Sequence, residues 1–94
     1  MRRAREGDLL TAARVATLWP EAERHGRLMR LFDEAHAADL YSKRPGRPHP
    51  IWGDGTLMAA ALGRIGVGLD ERTLPVATLG AVCQAFELWR TGRR

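Results

Sequence analysis

The fourteen residues from Lys43 to Thr56, KRPGRPHPIWGDGT, constrain this chain most. Three prolines and three glycines forbid a helix across them, because proline removes an amide and glycine costs backbone entropy. The flanking sequence is helical in character. Ala and Leu dominate, and strand formers are few: four Val, two Ile, two Phe and one Tyr. The chain therefore divides into two helical halves with a rigid crossing between them.

Ninety-four residues fit one domain, here 1–94, with basic ends at 1–7 and 91–94 expected to fray. A core of this size is modest, which leaves room for stabilisation by a partner. The apolar fraction of 45% excludes a disordered chain. The longest apolar run, Leu57 to Leu62, is far too short to span a bilayer. No apolar leader is evident at the N-terminus, and the single cysteine, Cys83, permits no internal disulfide. These features point to a cytoplasmic protein with no membrane partner.

The net charge is +4 and the pI about 10.5. Such a balance suits nucleic acid. Yet fourteen of the fifteen cations are Arg, only Lys43 is Lys, and Ala and Gly abound. That pattern is the mark of a G+C-rich genome, so the charge by itself does not identify a ligand.

Four helices can be placed. Asp8 suits the N-cap of the first, whose inner face carries Leu9, Ala13 and Ala16, and Trp19 ends it because proline follows. Pro20 opens the second, which runs from about Glu21 to Lys43 with Leu28, Leu31, Phe32, Ala35 and Ala38 inward and Leu40 and Tyr41 further on. Gly26 marks a place where it could bend or start late. The third starts after Gly55 with Asp54 or Thr56 as cap, and carries Leu57, Met58, Ala61, Leu62 and Ile65. The fourth has Thr73 as cap and Pro75 in its first turn. Leu79, Val82, Phe86 and Trp89 repeat along it at helical spacing, and Cys83 is expected to be buried beside Val82. The fold class is all-α: a small four-helix domain of two helical hairpins joined by the Pro/Gly-rich loop.

Most motif matches dissolve on inspection. Asp33-Glu34-Ala35-His36 spells the helicase DEAH box but lies inside a helix, with no phosphate-cradling loop in the chain. Gly63, Gly66 and Gly68 follow a helix, the wrong order for a dinucleotide site. Asp33, His36 and Asp39 share one face, but a solvated polar face explains them better than a metal, for want of ligands on a second helix. Cys83 lacks a neighbouring base. The pair of helices after Leu57 has too long and glycine-rich a turn, and too apolar a second helix, for a DNA-reading helix-turn-helix. No metal or cofactor is expected, and nothing assembles an enzyme.

The loop itself holds the candidate contact surface: Arg44, Arg47, His49, Trp52 and Asp54. Arg and Trp are favoured at protein interaction hot spots, so Arg44 and Arg47 would meet carboxylates and Trp52 would anchor. Asp54 would hold the loop in shape. The competing architectural reading makes Trp52 a lid folded onto the bundle. The sequence thus points to a small non-enzymatic interaction or accessory protein, its partner another protein or itself. The second reading is a nucleic-acid-binding module using the Arg-rich ends and the 43–56 loop.

Three segments resemble a family of short, uncharacterised bacterial proteins: Asp8 to Arg14 with its Ala-Ala-Arg, Glu34 to Tyr41, and GRPHPIWGDGTLMAAAL from Gly46 to Leu62. HPIWGDGTLM is the most specific piece. The resemblance covers about the first two thirds of the chain. It implies a single small domain and carries no catalytic or binding residue with it.

Overall fold

The structure, a computed structural model, describes residues 3–43, 55–62 and 74–92. Its elements are α1 (Glu6–Ala16), α2 (Glu21–Lys43), α3 (Leu57–Leu62) and α4 (Val76–Gly92). All-α and four-helical is what the sequence predicts. The caps Thr73 and Asp54, and Ile65 of the third helix, lie outside the described residues.

α1 starts two residues before Asp8, inside the segment expected to fray. Arg5 is the N-cap residue, and its amide donates to Asp8 Oδ2 at 2.8 Å. Asp8 is therefore the third helical residue rather than the cap. α1 ends at Ala16, three residues before Trp19. The Thr17 hydroxyl folds back onto the carbonyls of Ala13 and Arg14, and tight i→i−3 bonds from Leu18 and Trp19 close the last turn. Arg24, already in α2, donates its Nε to the Ala16 carbonyl at 3.0 Å and the Trp19 carbonyl at 3.3 Å. A cation thus sits at the negative end of α1 and satisfies carbonyls the helix leaves open.

α2 runs unbroken through Gly26, which is exposed. Its buried stripe is Leu28, Leu31, Phe32, Ala35 and Ala38, as the periodicity predicts, with Asp39 buried beyond it. Leu40 and Tyr41, which continue the apolar run in sequence, are exposed.

Gly55 precedes α3 with φ +94°, and a Cβ there would lie 2.6 Å from Asp39 Cα. Both the left-handed backbone and the close approach to α2 demand glycine. Thr56 then caps α3, its hydroxyl accepting from the Ala59 amide at 3.1 Å. α4 is opened by Pro75, whose carbonyl takes the Leu79 amide at 2.8 Å. Thr78, Val82 and Ala85 are buried along it, with Leu79, Phe86 and Trp89 packed partly into the core.

Cys83 is exposed, which corrects its expected burial. One step along a helix turns about 100°, so the neighbour of inward Val82 points sideways. The hairpins also differ from the expectation of closed pairs. α1 packs chiefly on α3 and α4, and α2 on α4 and α3, while α1 and α2 meet only briefly. α3 and α4 each pack on both α1 and α2, in place of a close α1–α2 pair. Alanines at 12, 13, 16, 60 and 61 line the contacts and allow close helix approach. Phe32 sits at the centre, with Phe86 edge-on at 5.5 Å between ring centroids and Trp89 at 5.8 Å.

Candidate functional site

Arg44, Arg47, His49, Trp52 and Asp54 lie outside the described residues, so the geometry of the predicted contact surface rests on what borders it. The C-terminal border is the start of α3. There Asp8 has a role that its sequence position does not announce. Besides the Arg5 amide, its carboxylate accepts the Met58 amide at 3.1 Å, across fifty residues of chain. One largely buried carboxylate therefore caps α1 and α3 together, where both helix ends are positive. A groove of about 490 Å³ runs over this junction, lined by Arg3, Arg5, Gly7, Asp8, Thr56 and Met58. Arg3 and Arg5 are exposed along it. Both Asp8 oxygens accept amide hydrogens, so this carboxylate joins the starts of the two helices.

The DEAH segment meets α4. Trp89 Nε1 donates to Asp33 Oδ1 at 2.9 Å, and the His36 ring stands edge-on to Trp89 at 5.9 Å. Asp39 is buried one turn further on, beside the Gly55 backbone. The three residues considered as a metal face thus occupy three different environments, and Asp39 is not solvated as expected. Among the described residues no group of three or more His, Cys, Asp or Glu side chains could hold a metal.

Several described arginines work within the fold. Arg24 caps α1. Arg27 pairs with Glu23 at 3.2 Å and stands 5.6 Å from the centroid of buried Trp19. Arg90 is held by Glu87 through two bonds, a contact that raises the guanidinium pKa above its ordinary value. Sequence reasoning missed the Arg24 and Asp8 roles, since neither shows in helical periodicity.

The outward side of α4 has a different character. Leu74, two residues before α4, is 56% exposed, Val76 and Leu88 within it are 67% and 61% exposed, and Ala77, Gly80, Ala81, Cys83 and Gln84 are exposed between them. No charged residue occurs from Leu74 to Phe86. Among the described residues no helix is long and apolar enough to cross a membrane.

No curated protein and no solved structure matches the chain. A family model described as a domain of unknown function, DUF7742, matches residues 2–85. The match reaches well past Leu62, so the family likeness is not confined to the first two thirds but takes in more than half of α4 as well. The chain is accordingly a member of the DUF7742 family of domains of unknown function.

Proposed function

We propose that the chain is a small, non-enzymatic interaction or accessory protein of the bacterial cytoplasm. The observation that carries this reading is the uncharged, exposed side of α4. Thirteen consecutive positions from Leu74 to Phe86 lack charge, and seven of them are exposed: Leu74, Val76, Ala77, Gly80, Ala81, Cys83 and Gln84. Solvent-facing helix surfaces are ordinarily charged, and an uncharged one is the composition of an interface core. The occupied carboxylates favour the same reading, since Asp8 and Asp33 each serve a structural hydrogen bond. Arg44, Arg47, His49, Trp52 and Asp54 are kept as a second contact region, with Trp52 as anchor.

The test is affinity capture with quantitative mass spectrometry on wild type, Leu88→Glu and an Arg47→Ala/Trp52→Ala double variant. A partner lost with either variant supports the reading and locates the surface. Equal recovery of every protein by all three overturns both surfaces.

Nucleic acid remains the second reading, favoured by Arg3 and Arg5 along the groove at the start of α1. Binding through phosphates falls steeply with salt. A labelled oligonucleotide that stays free even at low salt excludes it.

A further inference from the structure

We infer that the two halves of this chain are binding partners in their own right. The half carrying α3 and α4 is the ligand of the face that α1 and α2 present together. It stays bound there when the connection through 44–54 is cut, and the same half of a second copy fits in its place. This goes beyond the interaction reading and does not depend on it.

The packing divides unevenly. α1 and α2 meet only briefly, and among the described residues α3 and α4 do not pack on each other. The contacts that build the core run between the halves, α1 with α3 and α4, and α2 with α4 and α3. One cluster of buried side chains draws on all four helices, through Val15 of α1, Leu28 and Phe32 of α2, Leu57 of α3 and Val82 of α4. Taken apart, each half would give its share of that cluster to water, with too little packing of its own to compensate.

The joint is directional as well as apolar. Asp8 of the first half accepts the Met58 amide of the second at 3.1 Å, and Asp33 accepts the Trp89 indole N–H at 2.9 Å. Phe32 receives Phe86 edge-on at 5.5 Å between ring centroids. Apolar burial has no direction, so hydrogen bonds at separate points are what select one arrangement of the two halves.

The covalent link has little distance to span. Gly55 lies against Asp39, one helical turn before Lys43 closes α2. Eleven residues, 44–54, join points this close, so the link supplies concentration rather than reach. A short flexible link is worth about 1 mM, and small domains fold with constants of about 10³ or more. Their quotient puts the dissociation constant of the cut halves at about 1 μM or tighter.

The test is a specific protease site inserted between Gly46 and Arg47 of the full chain and cut after folding. A second variant carries it between Pro48 and His49, in case the first, uncut, loses the circular dichroism of the wild type. Cut protein should run as one species in gel filtration at about 100 μM, well above the expected dissociation constant. It should melt in one transition whose midpoint falls on dilution towards about 1 μM, while the uncut chain melts independently of concentration. Mixed with isotope-labelled cut protein, it should exchange halves, which native mass spectrometry reads directly. Asp8→Ala, which removes a bond across the joint, should weaken the cut pair at least tenfold. Arg24→Ala, whose bonds stay inside the first half, should weaken it no more than about threefold. Halves that separate at about 100 μM overturn the proposal, as does a separated half that stays folded or a cut pair that never exchanges. Failure of both uncut variants to fold overturns it too, since the link would then supply more than concentration. Equal weakening by Asp8→Ala and Arg24→Ala removes Asp8 from the joint. The affinity capture described above uses the intact chain, so the two readings fail separately.

Discussion

The turn between α1 and α2 and the start of α3 solve the same problem by opposite means. Both must satisfy open helix ends. The first is built from neighbours: Thr17, Trp19 and Arg24 all lie within eight residues of the carbonyls they serve. The second depends on residues far off in sequence. Asp8 supplies an acceptor from fifty residues away, and Asp39 of α2 leaves room only for a glycine. A local turn survives the loss of one contact because others stand beside it. A junction assembled from distant segments concentrates its stability in a few atoms.

Four substitutions test that contrast. The largest effect is expected at Gly55. Alanine there meets a left-handed backbone and a backbone atom at 2.6 Å, and strain plus overpacking should cost about 4 kcal/mol. Urea denaturation should show a large fall in midpoint, and an unchanged midpoint would mean that Gly55 and Asp39 do not touch.

Asp8→Ala comes second. It strips the acceptor from two backbone amides in partly buried surroundings and should cost about 2 kcal/mol. Hydrogen exchange gives the sharper readout, with Arg5 and Met58 both losing protection. Loss at Arg5 alone would restrict Asp8 to a local cap.

Arg24→Ala should cost only about 1 kcal/mol, because Thr17 and the tight final turn still close α1. Thermal unfolding is sufficient to measure it. A cost equal to that of Asp8→Ala would erase the contrast between the two junctions.

Gly26→Ala is the smallest and has the opposite sign. No atom lies within 4 Å of the added methyl, and the helix is continuous there, so a gain of about 0.7 kcal/mol is expected. Destabilisation would show that α2 needs flexibility at this point.

Legibility in the sequence follows the same division. The stripe Leu28, Leu31, Phe32, Ala35 and Ala38 was readable because periodicity is a local property, and Thr56 as a cap because a hydroxyl three residues before an amide is a local pattern. Asp8 was readable as a helix-start residue, but its bond to Met58 was not, since no spacing rule links positions 8 and 58. The burial of Asp39 and the splay of α1 from α2 were hidden for the same reason. Cys83 was misplaced by its neighbour: apolar company along the chain is not apolar company in space. Of the candidate contacts, the loop residues Arg44 to Asp54 stood out by composition. The α4 face did not, because Ala, Gly and Gln draw attention only once they are seen to face water.

The shared carboxylate of Asp8 has a consequence for how the chain acquires its shape. Six residues are too few for α3 to persist alone. It depends on its packing against α1 and α2 and on the bond to Asp8, so α3 draws part of its order from the first half of the chain. A synthetic peptide covering α3 should be a coil. Any fusion or trimming that disturbs Arg5 to Asp8 should be felt fifty residues downstream, at a helix it never touches in the linear chain.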